Sequence, residues 1–260
     1  MRTDVTAFPE ETSMLMSVIE EAQSAPAYPE LADKRILITG ITSDCGIDIA
    51  RAFADHKTRL VLQFAEANES MQAIAEIAAP TAVETMAFGP LGTETEAIVR
   101  FARRAVQTFG GLDAVINLVP LAPGAFEGAP SLPAIDALVA DRLRGACIFS
   151  SVAANRMSVT LTEGLILNVA ILATPARGRR QALAAVIKAA VAAMTRLQAE
   201  EWAHKAIRFN AIVPQTLPIG IEPVLRSEPD MAALALYLAS GRGKGLSGLL
   251  FEAEAARALA

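Results

Sequence analysis

From Lys34 onward the chain alternates short, continuously apolar runs with longer segments of mixed apolar and charged residues. The runs read "RILITG", "RLVLQF", "AVETMAF", "LDAVINLVP", "GLILNVAIL", "IRFNAIVP" and, last, "GLLFEA". Between them stand "IDIARAFADH", "ANESMQAIAEIAA", "ETEAIVRFARRAVQTFG", "AIDALVADRLRGACIFSSVAANRM", "RQALAAVIKAAVAAMTRLQAEEWAH" and "PDMAALALYLAS". Apolar runs without polar alternation fit strands covered on both faces, and the longer segments fit helices. A helix between two strands returns the chain to the same end of the sheet, so the strands run parallel. The pattern predicts an α/β fold: a Rossmann-type, doubly wound parallel sheet of about seven strands, with helices on both faces.

Residues 1–30 break this order. They are acidic, carry no strand pattern and run into "SAPAYPEL". Within them "EETSMLMSVIEEAQ" predicts a short amphipathic helix capped by Thr12 or Ser13. The expected organisation is an N-terminal arm over residues 1–30 and one domain over residues 31–260.

Composition narrows the function classes. The chain is 53% hydrophobic, low in aromatics and rich in Ala, which fits closely packed helices. A net charge of −5 argues against nucleic acid or an anionic membrane surface as partner. No apolar run approaches the roughly 20 residues of a membrane span, and no secretory signal pattern opens the chain. The expected location is the cytoplasm. Cys45 and Cys147 lie in apolar surroundings and read as buried, reduced thiols. His56 and His204 fall at helix ends, where capping is the usual role, and no metal-ligating constellation is present.

The first strand–helix unit, "ITGITSDCGIDIARAFA", resembles the TGxxxGxG turn of the short-chain dehydrogenase/reductase family. "FGGLDAVINLVP" is similar to that family's FGxLDxLVNNAG, and "EGLILNVAIL" to GxIVNISS. "KAAVAAMTRLQAEEWAHKAIRFNAIVPQ" is similar to its lysine-bearing helix and the IRVNxVxPG strand. Four motifs in order at the family's spacing make the resemblance specific. It implies an NAD- or NADP-dependent oxidoreductase in which a Tyr is general acid/base. A Lys four residues later lowers the Tyr pKa and holds the ribose, a Ser polarises the carbonyl, and a helix Asn maintains a proton relay.

Residue by residue, the resemblance places the Lys at Lys188, the Tyr position at Ala184, the Ser position at Ile171 and the Asn position at Arg142. Alanine has no proton to give. The cofactor positions fall on Gly40, Asp44, Gly46 and Asn117, with Asp44 where the middle glycine of the turn belongs. In such a turn the glycines admit the pyrophosphate to the helix N-terminus, whose N–H groups and partial positive charge bind it. A carboxylate ~4–5 Å away opposes each phosphate charge by ~3–4 kcal/mol at an effective dielectric near 20. That exceeds a hundredfold in affinity. Asp44, as N-cap, and Asp48 in the first turn read as the protein's own anion in the phosphate's place. Phe64 stands where the family discriminates ribose from its 2′-phosphate, with Glu66 a distant candidate; Val119 and Pro120 replace small residues, and "AFGPLG" has no acid for the adenine amine. "ARGRR", Arg177 to Arg180, reads as a solvated loop or an anion contact, and "QTLPIGIEPVLRSEPD" is short for the family's lid.

These readings favour an inactive subunit that binds no cofactor. It is expected to assemble as a homo-oligomer, or as a hetero-oligomer with an active paralogue, as a structural or regulatory partner. The alternative is an NAD- or NADP-dependent oxidoreductase with an altered site, Lys188 acting with an Arg. In the family the helices after the fourth and fifth strands pair across a two-fold axis; the many Ala residues around Lys188 fit such a contact.

Overall fold

The computed structural model describes residues 27–43, 45–67, 76, 80–92, 94–121, 132–172, 179–215, 225 and 227–253. Seven strands form one sheet: β1 (Arg35–Ile41), β2 (Arg59–Phe64), β3 (Glu84–Phe88), β4 (Ala114–Leu121), β5 (Gly164–Leu172), β6 (Ile207–Pro214) and β7 (Leu250–Ala253). They lie in the order β3-β2-β1-β4-β5-β6-β7, and every neighbouring pair is parallel. The helices are α1 (Ile47–Asp55), α2 (Thr95–Ala105), α3 (Leu132–Val159), α4 (Arg179–Trp202) and α5 (Glu228–Ala239). The expected doubly wound sheet is the observed one. The segment "ANESMQAIAEIAA" lies almost wholly outside the described residues.

Strand alternation sorts the core into two layers. β1 sends Ile36 and Ile38 to one face, where Phe53 of α1 and Leu238 of α5 cover them. It sends Leu37 to the other, where Phe101 of α2 and Phe149 of α3 complete the cluster. All of these side chains are buried.

Some expected boundaries move. "ETEAIVRFARRAVQTFG" is helical only to Ala105, and Thr108–Gly110 forms a 3-10 turn in which Phe109 has φ 57°. β3 begins at Glu84 and β7 at Leu250. Cys45 is buried as expected, but Cys147 is exposed. On α3 it follows the inward-facing Ala146, about 100° round the helix, and so points away from the sheet. The end of the expected arm is bound to the domain: the Tyr28 ring stacks on His56 at 5.8 Å between centroids, and Glu30 accepts from the Gly241 N–H at 3.2 Å. Residues 1–26 lie outside the described residues.

β4 starts at Ala114 because Asp113 serves β1 instead. Its carboxylate accepts from Arg35 Nε (2.7 Å), Nη2 (3.2 Å) and the Arg35 backbone N–H (2.9 Å), and Lys34 Nζ lies 3.6 Å away. Burial raises the Asp113 pKa; the Arg35 hydrogen bonds and the two cationic charges more than offset this and hold it below the ordinary 3.8. A depressed carboxyl contributes stability that is present above the unfolded value and lost as pH falls through the folded one. The urea midpoint of the wild type is therefore expected to drop below pH 3.8 more steeply than that of Asp113→Asn. Parallel acid limbs for the two proteins would contradict this.

Candidate functional site

β1 and β4 are neighbours whose following connections leave in opposite directions along the sheet, and a cleft opens at such a switch point beyond the strand C-termini. The turn from β1 to α1 forms its floor. Gly40 has φ 74° and Gly46 φ 102°, both left-handed conformations that favour glycine. A Cβ on Gly40 would run into the Leu118 carbonyl oxygen, and one on Gly46 would stand 2.5 Å from Leu118 Cδ1. Both glycines are thus required by close packing against β4. The Gly40 N–H donates to Gln63 Oε1 at 2.8 Å, and the Gln63 amide donates to the carbonyls of Phe64 and Gly89.

The amides at the start of α1 also have an acceptor. Glu228, first residue of α5, places Oε1 2.7 Å from the Gly46 N, 3.0 Å from the Asp48 N and 3.5 Å from the Ile49 N. α5 brings it there because both helices pack side by side on one face and start at the same end of the sheet. The α5 start is itself well formed: Ser227 and Asp230 make a reciprocal capping box. Burial first, and then the charge of Asp48, push the Glu228 carboxyl above its ordinary 4.5, against the three N–H donors.

The cleft has a volume of about 280 Å³ and is lined by Gly40, Gln63, Ala65, Gly92, Val119 and Arg142, among others. Phe64 is not among its walls. It is 2% exposed and packs in the core beneath α1, so the expectation that it faces the ribose position is corrected. Strand alternation turns Gln63 and Ala65 to the cleft instead. Arg142 lines the cleft, and its Nε is buried without a hydrogen-bond partner.

Beyond Val119 the residues expected around a reaction centre form an apolar cluster. Ala184 is fully buried there with Val119, Ala146, Ala170, Ile187 and Val213. Lys188, one turn further along α4, pairs its ammonium with the Glu252 carboxylate of β7. Ile171 pairs with Pro120 across β4 and β5; its side chain lies outside the described residues. Asn117 is buried inside the sheet. Its Oδ1 accepts from Thr39 Oγ1 (3.1 Å) and its Nδ2 donates to Asn168 Oδ1 (2.9 Å) and Ser150 Oγ (3.1 Å). This network ties β1, β4, β5 and α3 together.

The structure therefore brings Gly40 and Gly46 to one turn and sets Asn117 beneath it. Asp44, Arg177 and most of "QTLPIGIEPVLRSEPD" lie outside the described residues, as do the side chains of Pro120, Arg179 and Arg180. Two residues have no counterpart in the sequence reading. Leu118 fixes the turn glycines by contact, and Glu228 holds the amides that Asp44 and Asp48 were expected to serve. Leu118 follows directly on the quoted Asn117, so its place was within reach; Glu228 acts across 182 residues and carries no local signal.

A carboxyl held above its ordinary value contributes stability that is fully present below the unfolded value and is lost as pH rises through the folded one. The stability difference between wild type and Glu228→Gln should accordingly shift against the wild type as pH rises from 4.5, then level off. Urea unfolding of both proteins at a series of pH values measures it; a pH-independent difference would contradict the assignment.

The architecture and sequence have relatives. A family model described as enoyl-(acyl carrier protein) reductase matches residues 40–235. An "Uncharacterized oxidoreductase" of Thermotoga maritima is 27% identical over 208 residues, 80% of this chain and 81% of that protein. Galactitol 2-dehydrogenase (L-tagatose-forming) of Cereibacter sphaeroides is 26% identical, covering 82% of this chain and 90% of that one. Among solved structures, a short-chain dehydrogenase/reductase from Serratia marcescens BCRC 10948 superposes with a TM-score of 0.70 at 17% identity, covering 86% and 97% of the two chains. With the parallel seven-stranded sheet and the glycine turn on β1, the match over residues 40–235 shows that this chain belongs to the short-chain dehydrogenase/reductase family.

Proposed function

We propose that this chain is a non-catalytic member of its family, a structural or regulatory subunit that assembles with itself or with an active paralogue. The observation that carries this reading is the pairing of Lys188 with Glu252 beside the buried Ala184. In the family's chemistry the lysine serves a tyrosine hydroxyl and the cofactor ribose. Here the corresponding position is a methyl group packed among Val119, Ala170 and Val213, and the ammonium has its own carboxylate. General acid/base catalysis, worth roughly 10²–10⁴-fold, has no donor at position 184. The amides of the glycine turn, accepted by Glu228 and Gln63, do not fit a dinucleotide pyrophosphate while those side chains stay in place.

The assembly rests on α4. Ala182, Ala185, Val186, Ala189, Ala193 and Leu197 are exposed at helical spacing, opposite the buried Ala184, Ile187 and Val191. Val186 is 46% and Leu197 67% exposed. Small and branched apolar residues along a solvent face let a second helix approach closely.

The names of the relatives favour a second reading, an NAD- or NADP-dependent oxidoreductase with an altered site. Turnover decides between them. The purified protein with NADH or NADPH and a panel of ketones, and with NAD or NADP and alcohols, should give background rates only. Turnover abolished by Lys188→Ala would establish the second reading.

The subunit role predicts a dimer or larger species at micromolar concentration by mass measurement, reduced to monomer by Val186→Glu with the helical signal retained. A wild-type monomer that also fails to join a coexpressed active relative would remove this role.

A further inference from the structure

We propose that Glu228 is an intramolecular plug: its carboxylate holds the anion seat of the glycine turn, and withdrawing it makes that turn a diphosphate site. The inference deepens the proposed function, on which it rests, by naming the residue that keeps a dinucleotide out.

Three features argue for a plug. Position is the first. A single oxygen, Glu228 Oε1, faces the N–H groups of Gly46, Asp48 and Ile49, the fan of donors that a phosphate oxygen would meet at a βα turn. Origin is the second. The carboxylate comes from the neighbouring helix and not from the turn, where the Gly46 N-cap offers no side chain of its own. Cost is the third. A carboxylate that merely capped α1 would be held ionised by its donors, yet burial and the charge of Asp48 outweigh all three of them here. The fold keeps a carboxyl in this seat although burial and Asp48 oppose its ionisation.

The remainder of the cleft is compatible with a ligand once the carboxylate is gone. A space of about 280 Å³ adjoins the turn at Gly40. Glu228 enters from the side of α5, so its removal leaves Leu118, Gln63 and the sheet untouched. Eliminating one full charge at contact distance from a bound diphosphate is worth roughly a hundredfold in affinity at an effective dielectric near 20.

The test compares wild type, Glu228→Ala and Glu228→Gln by calorimetric titration with inorganic pyrophosphate, ADP and NADH at neutral pH. Glu228→Ala is expected to bind pyrophosphate and ADP roughly a hundredfold more tightly than wild type. Glu228→Gln should fall between them, because it removes the charge and keeps the side chain. Amide spectra of wild type and Glu228→Gln give a reading independent of any ligand. The Gly46, Asp48 and Ile49 N–H signals should move upfield together as a charged acceptor becomes neutral, even if Glu228→Ala does not fold. Equal, weak affinities in all three folded proteins, or unmoved amide signals in Glu228→Gln, would overturn the plug and leave the proposed function standing. Tight NADH binding by the wild type would overturn the plug, and turnover with it would overturn the proposed function as well.

Discussion

The structure depends on a constraint at the beginning of α1: a helix packed into the core cannot leave its first amides without acceptors. In an open parallel sheet every helix on one face begins at the same end, so these amides gather where the strands finish. A bound phosphate is one way to satisfy them; a carboxylate from the adjacent helix is another. This chain uses the second, with Glu228 reaching from the first turn of α5. The choice binds α1 to α5 by hydrogen bonds as well as by the apolar contact that Phe53 and Leu238 share.

Internal contacts of the same kind run through the rest of the cleft. Gln63 takes the Gly40 amide, Glu252 takes the Lys188 ammonium, and Val119, Ala170 and Ala184 close over one another. Each of these groups is answered by another part of the same chain. Arg142 is the exception among them, with a buried Nε that no described residue meets.

The fold was legible because its signals are local. Continuous apolar runs and helical periodicity marked all seven strands and the five described helices, and the burial of Ile36, Leu37 and Ile38 in alternate layers follows from strand geometry alone. The site was legible only where side-chain identity was enough, as at Ala184. Phe64 was misjudged because alternation along β2 puts it in the core with Leu60 and Leu62 and turns Gln63 to the cleft in its place. Cys147 was misjudged because α3 has apolar residues on several sides and only packing shows which face meets the sheet. Glu228 could not be read at all, since its partners are on a helix that the sequence does not bring near it.

The two turn glycines carry a consequence for how such sequences are interpreted. Gly40 and Gly46 are held by Leu118, whose carbonyl and side chain occupy the space a larger residue would need. Replacing either would disturb the seam between β1, α1 and β4 whether or not any nucleotide ever visits. Selection for folding alone is then enough to preserve this fingerprint, with or without a ligand. A glycine-rich turn of this kind is therefore a record of ancestry and of close packing, and a cofactor must be argued from what faces the amides.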